Sequence, residues 1–209
     1  MTARLTVAGC GWHAHVVAEL AEMTGRYSQV RLLDRNWPAK SVWGDWPVEG
    51  GFDVLRGNLS GQEDEYFVAL GDNSSRVALC HQIVDNGGTL ATLIHPTAFV
   101  SPRARLEPGT IVCAGAVVQT YACVGIGCIV NTSASIDHHC VLADGVHLSP
   151  GVHLSGNVSV GERAWLGTGV CVRDKLTIGA DIVIGVGSTV IKDLVDSGIY
   201  YGSPLKKMK

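Results

Sequence analysis

From Ile94 onward the apolar positions of the chain keep a period of six. The residues at that spacing are Ile94, Val100, Leu106, Val112, Val118, Val124, Val130, Ile136, Leu142, Leu148, Leu154, Val160, Leu166, Val172, Ile178, Ile184 and Val190, all aliphatic and without a slip in phase. Four residues after the aliphatic, the side chain is usually small or β-branched, as at Ala98, Ala116, Cys128, Ala134, Cys140, Val158 and Ala164. The next residue after the aliphatic is often glycine, as at Gly125, Gly161, Gly167, Gly179 and Gly185. Six matches neither the 3.6 of a helix nor the two of a plain strand. It is the period of a short strand with its turn, and repeated hexads predict a parallel β-helix. Three hexads close one triangular coil of 18 residues, so each aliphatic stacks on its counterpart one coil away, and the series amounts to between five and six coils. Each coil touches only its neighbours, so the ends need caps. Residues 191–209 leave the repeat and are expected to form a cap or tail, which makes 91–190 the β-helix.

Residues 1–90 carry a different pattern. Arg4–Ala8 is a short apolar strand, followed by Gly9-Cys-Gly-Trp-His13 and a helical spacing through Val16, Val17, Leu20 and Met23. Val30–Asp34 and Tyr66–Leu70 predict two further strands, and Trp37–Gly61, rich in Pro, Gly and Trp, predicts irregular structure. Ser74 or Ser75 is expected to cap a helix over Arg76–Asp85, ended by Asn86-Gly-Gly88. The result is an α/β, Rossmann-like domain of three parallel strands. Gly9-x-Gly11-x-x-Ala14 with Asp34 twenty residues on satisfies a relaxed dinucleotide fingerprint. Ninety residues hold barely one of the two halves such a fold needs, which leaves a smaller expectation. Glycines let backbone approach a ligand, and a helix N-terminus favours phosphate.

Composition narrows the function classes. Hydrophobic residues make up 46% of the 209, enough to bury a core, while a formal net charge of −3 with 16 scattered Lys and Arg argues against a nucleic-acid binder. No apolar run reaches the ~18 residues of a membrane span, and the N-terminus does not read as a signal peptide. Seven cysteines without a Cys-x-x-Cys suit small hydrophobes in a reducing cytoplasm.

The two halves together resemble the hexapeptide-repeat nucleotide-sugar acetyltransferases, a family that includes UDP-4-amino-sugar and GDP-perosamine N-acetyltransferases and sialic-acid O-acetyltransferases. The resemblance covers nearly the whole chain and is carried by Gly9-Cys-Gly-Trp-His13, Leu70-Gly-Asp-Asn73, Leu93-Ile-His-Pro-Thr-Ala98, Asn131-Thr-Ser133, Ile136-Asp-His-His-Cys140, Val146-His-Leu-Ser-Pro-Gly151, Leu154-Ser-Gly-Asn-Val158 and Gly202-Ser-Pro204. It implies a left-handed β-helix, a homotrimer, acetyl-CoA as co-substrate, a nucleotide-linked sugar as acceptor and no metal. The position matching the family's general base is His138, and an imidazole suits that task because it titrates near neutrality. Where the family places an acid after that histidine, this chain has His139. His147 matches the position at the thioester and would supply a donor to a developing oxyanion. Thr168 and Val186 match positions along the pantetheine and adenine, and Asn131 and Gly156 match further motif positions on the catalytic and cofactor sides. On the nucleotide side Gly11, Trp12 and His13 match the phosphate and sugar loop, Asp34 and Arg35 the residues that meet the base, and Gly71 the turn after the third strand. The resemblance implies an N-acetyltransferase acting on a nucleotide-linked 4-amino-6-deoxy sugar.

Three other functions share this fold. One is an O-acetyltransferase on a sugar hydroxyl, and another is a trimer that holds a nucleotide sugar without turning it over. The third is a zinc enzyme built on His138, His139, Cys140, His147 and His153. Against zinc, a period of 18 stacks Ser135 and Cys171 around His153, and Ile129 and Trp165 around His147, so the two histidines lie on different faces.

Overall fold

A computed structural model describes residues 3–61, 64–203 and 205–207. Its backbone divides into two compact units that meet in sequence between Ile94 and His95.

The first unit is a parallel sheet flanked by helices. Strand β1 (Ala3–Ala8) leads into helix α1 (Trp12–Met23), and β2 (Tyr27–Leu33) follows. A small antiparallel hairpin comes next, β3 (Val42–Trp43) with β4 (Trp46–Pro47), then a 3₁₀ turn at Phe52–Arg56. Strand β5 (Asp64–Val68), helix α2 (Asn73–Asp85) and β6 (Thr89–Leu90) complete the unit. The strand order is β2-β1-β5-β6, so β6 adds a fourth strand to the expected three. The span expected to be irregular contains the hairpin and the 3₁₀ turn. Helix α2 begins earlier than its serines suggested, because Asp72 is the cap and its Oδ1 accepts from Ser75 N at 2.8 Å. Leu5, Val7, Leu32, Leu33, Tyr66 and Phe67 form the sheet's buried faces, with Ala14, Val17, Ala18 and Ala21 of α1 packed down.

One ionic cluster crosses this sheet. The Asp64 carboxylate, 2% exposed, accepts from Arg4 Nε at 2.8 Å, Arg31 Nη2 at 2.8 Å and Thr6 Oγ1 at 3.0 Å. Burial alone would raise its pKa. The bonds from Arg4 and Thr6 and the charge of Arg31 outweigh that and hold it below the ordinary carboxylate value.

The second unit is a three-sided β-solenoid of two-residue strands. The first face includes Ile111–Val112, Ile129–Val130, His147–Leu148, Trp165–Leu166 and Ile182–Ile184. The second face has six strands, among them Val117–Val118, Ser135–Ile136, His153–Leu154 and Cys171–Val172, and the third has five. All pair in parallel with a register of 18, as in Ser135↔His153 and His147↔Trp165. The hexad aliphatics from Val112 to Val190 are buried, and the small residues four places on, such as Ala134, Cys140 and Val158, fill the same core. None of the seven cysteines is in a disulfide.

Most corners of the coil hold one residue at positive φ. Two corner columns consist mostly of glycine: Gly115, Ser133, Gly151, Gly169, Gly187 in one, and Gly109, Gly127, Gly145, Arg163, Asp181 in the other. The third column contains none, being Tyr121, His139, Asn157 and Lys175, all with φ of 59–60°. At the C-terminal end Gly198–Tyr201 pairs in parallel with Ile182–Ile184, then antiparallel with Lys206–Lys207. Leu194, Tyr200 and Leu205 plug the core, so this segment is a cap. Pro204, quoted above with Gly202 and Ser203, lies outside the described residues.

The Asp64 cluster gives a stability prediction. Its carboxylate pKa is lower in the folded than in the unfolded chain, so its contribution is present above about pH 3.8 and is lost as pH falls through the folded value. Asp64→Asn is expected to lower the unfolding free energy by roughly 1–3 kcal/mol at pH 7. The gap from the parent should shrink in guanidinium titrations as pH is taken below 3.8.

Candidate active site

The residues expected to bind nucleotide lie at the carboxyl ends of the parallel strands, where α/β sheets place their ligands. A cavity of about 400 Å³ opens there, lined by Gly9 and Gly11 after β1, Asp34 and Arg35 after β2, and Gly71 after β5, with Lys40 and Phe52 closing its side. A side chain at Gly9 is excluded, since its φ is +122° and a Cβ would stand 2.9 Å from the Ala69 carbonyl oxygen. Gly11 and Gly71 meet nothing within 4 Å of a Cβ position, so bare backbone faces open space at both. Gly11 is the N-cap of α1 and offers no side-chain cap. Asp34 is buried, and its Oδ1 accepts from Asn36 N at 2.7 Å. The Arg35 guanidinium lies 5.2 Å from the centre of the Phe52 ring.

Trp12 and His13 do not line this cavity. Trp12 is 79% exposed and packs against Trp43 and His15 at the hairpin. His13 Nε2 is buried without a hydrogen-bond partner, and burial together with the Arg76 charge pulls its pKa down to about 4. Two residues not singled out in the sequence shape the pocket, one from its wall and one from behind it. Lys40 Nζ sits 3.7 Å from the Trp43 ring centre and borders the cavity. Arg76, wholly buried, donates to the carbonyls of Leu70 and Gly71 at 2.9 and 3.4 Å and to Asn73 Oδ1 at 2.7 Å, which fixes the turn carrying Gly71. A buried arginine on an amphipathic helix looks like a surface charge in sequence, and nothing in its spacing distinguishes it.

On the solenoid, His138 and His139 stand exposed at the corner that follows the second face. His138 N donates to Asp137 Oδ1 at 2.7 Å. The two imidazoles meet edge to face, Nδ1 to Nδ1 at 3.2 Å, and the His139 ring packs on Tyr121 at 5.1 Å. One coil on from His138 lies Gly156, whose Cβ would stand 2.5 Å from His138 Cε1 and 2.6 Å from Nε2. The structure therefore places Gly156 beneath the imidazole of His138. Beside this corner the second face bears a cleft of about 290 Å³ lined by Gln119, Asp137, Ser155 and the pair Ser135 Oγ···His153 Nδ1 at 2.8 Å.

His147 lies on the first face, apart from His138 within one chain. Its ring is parallel to Trp165, one coil on, at 5.7 Å and 3°, and Trp165 Nε1 donates to Ser149 Oγ at 2.9 Å. Trp165 was not singled out, although a register of 18 from His147 pointed to it. Thr168 and Val186 occupy the corner after this face, one above the other, both exposed, with Gly187 N donating to the Thr168 carbonyl at 2.8 Å. Asn131 begins the same corner two coils earlier, and its Oδ1 accepts from Thr132 N at 2.8 Å. Among the described residues no three His, Cys, Asp or Glu side chains gather as metal ligands.

Known proteins share this fold. Residues 4–83 match the model of the PglD N-terminal domain. The acetyltransferase domain of PglB from Neisseria gonorrhoeae superposes with a TM-score of 0.94 at 39% identity, over 98% of this chain and 99% of that one. The perosamine N-acetyltransferase of Caulobacter crescentus, solved as a mutant with CoA and GDP-perosamine, superposes with a TM-score of 0.90 at 38% identity, over 100% and 98%. This chain belongs to the left-handed β-helix family of acetyl-CoA-dependent sugar acetyltransferases. A galactoside O-acetyltransferase of Lactococcus lactis is 45% identical over 47 residues, 22% of this chain, and the matched segments span only about a quarter of such curated relatives. The PglB domain has also been solved with acetyl coenzyme A.

Within this family member, two expectations test the site. Gly156→Ala should push the His138 ring off its place, break the contact with His139 and cost about 1–3 kcal/mol of stability through overpacking, visible in a crystal structure and a melting curve. His13 should stay neutral down to about pH 4 in an NMR titration. Because the unfolded histidine takes its proton near 6.5, stability attributable to His13 falls as pH drops from 6.5 towards 4. His13→Gln should flatten that part of the curve.

Proposed function

We propose that this chain moves the acetyl group of acetyl-CoA onto the amine of a nucleotide-linked 4-amino-6-deoxy sugar, with His138 as general base. The observation that carries the reading is the end-to-end likeness to perosamine N-acetyltransferase, which was captured with CoA and GDP-perosamine, together with an exposed imidazole at the corner where this chain carries Gly156 in place of a side chain. Coverage favours nitrogen over oxygen as acceptor, because the O-acetyltransferase likeness extends over 47 residues only.

In this reading the nucleotide lies against the Gly9–Gly11 backbone and Gly71, with Arg35 and Lys40 supplying positive charge and Asp34 a hydrogen-bond acceptor. His138 Nε2 takes a proton from the amine as nitrogen bonds to the thioester carbonyl. The departing CoA thiolate then takes that proton back from His138, leaving an acetamido sugar and CoA, so no acyl-enzyme and no cysteine nucleophile are required. His147, aligned by Trp165, donates to the oxygen that gains charge. Thr168, Val186 and the backbone around them would hold the pantetheine and adenine, with Asn131 on the catalytic side. The working form in this reading is a cytoplasmic homotrimer with acetyl-CoA between neighbouring subunits.

The test is CoA release from acetyl-CoA, followed with a thiol reagent, across a panel of UDP-, GDP- and dTDP-linked 4-amino-6-deoxy sugars. One of them should turn over, and His138→Ala should lower kcat by on the order of 10²–10⁴. Turnover that survives the substitution would reassign the base. A folded protein silent on the amines and active on a sugar alcohol would make it an O-acetyltransferase.

A further inference from the structure

The contact between His138 and His139 has a requirement of its own. Nitrogen facing nitrogen at 3.2 Å is a hydrogen bond only if one Nδ1 carries a proton and the other carries none. The two neutral rings are therefore coupled in tautomer. If His139 Nδ1 donates, His138 Nδ1 accepts, its proton lies on Nε2, and the ring cannot take another proton there. If His138 Nδ1 donates, its Nε2 lone pair is free.

We infer that His139 is a positioning residue whose bare Nδ1 accepts from His138 Nδ1–H, so that His138 presents an unprotonated Nε2 at the corner of the coil. This deepens the reading of His138 as the base and rests on it. When His138 Nε2 takes a proton, the ring becomes an imidazolium with two donors, and its Nδ1–H still points at the His139 lone pair. A protonated His139 would have no lone pair to offer and would set a second positive charge beside the first. The pair thus works with at most one added proton.

The local frame suits this assignment. The His139 backbone is held at φ 60° with its N–H given to the Thr120 carbonyl at 3.2 Å, and its ring is backed by Tyr121. Gly156 accommodates the Cε1 and Nε2 side of the other ring. The charged or titratable groups facing the pair are Asp137, already engaged by His138 N, and the Tyr121 phenol. The adjacent coil contributes Gly156 and the amide Asn157, neither of which titrates. His139 is thus the group placed to choose the His138 tautomer.

The experiment uses the full chain labelled with ¹⁵N-histidine, its signals assigned by loss in His138→Gln and His139→Asn. Above pH 8 the parent should show His138 protonated on Nδ1 and His139 on Nε2, with a coupling between the two Nδ1 nuclei across the hydrogen bond. A parent His138 protonated on Nε2 overturns the inference, whether or not the protein acetylates anything. Kinetics supply the second arm. His139→Gly keeps the positive φ and removes the acceptor, so kcat should fall at least about tenfold, less than the roughly 10²–10⁴ of losing the base itself, with both KM values within twofold. His139→Asn returns an acceptor and should recover most of that loss. His139→Asp adds a negative charge that favours the imidazolium, and the acid limb of the kcat profile should move to higher pH. Equal kcat in the Gly and Asn variants would reject the role. If no acceptor sugar turns over, the NMR arm alone decides this inference, and the proposed function fails separately.

Discussion

The backbone ladder of the solenoid, in which every residue sits on the one 18 places earlier, is the constraint from which the second unit follows. It is seen in pairings such as Ile129↔His147↔Trp165 and Ser135↔His153↔Cys171. The ladder holds because each coil offers the next a matching row of aliphatic side chains, and a shift of one residue would turn that row outward. Strands of two residues would not be stable alone. Repetition supplies the cooperativity, and the terminal plug of Leu194, Tyr200 and Leu205 protects its last coil.

The same ladder builds the chemistry. His138 has a place because Gly156 is one coil away, His139 rests on Tyr121 because it is one coil on, and His147 is aligned by Trp165 for the same reason. A site on this solenoid is therefore written in steps of 18, and the partner of a functional side chain is found by counting. The α/β unit uses another logic, in which the ends of β1, β2 and β5 bring Gly9, Asp34 and Gly71 to one cavity although 62 positions separate the first from the last.

These two logics explain what was legible beforehand. The solenoid, its phase, the separation of His147 from His153 and the cap were all visible as periodicity, because one rule repeats at every coil. The α/β unit was visible only in outline. Strand β6 is two residues long, the β3–β4 hairpin hides in a stretch rich in Trp, Gly and Pro, and the cap of α2 is Asp72 where serines also qualified. Gly156 reads as one turn glycine among many until its neighbour one coil away is known to be His138. Trp12 adjoins the glycine loop in sequence yet does not line the cavity, being the first residue of α1 and packed against Trp43.

The corner column of Tyr121, His139, Asn157 and Lys175 has a consequence for how this protein can change over generations. Left-handed backbone costs an ordinary residue about 1–2 kcal/mol, and it is tolerated best by Gly, Asn, Asp and His. Drift at this corner is therefore biased before any selection on catalysis acts. β-Branched residues suit that backbone worst, while Tyr121 and Lys175 show that longer side chains also occupy it. The neighbour of His138 thus sits where the backbone itself favours glycine, asparagine, aspartate and histidine, before its contact with the base is considered.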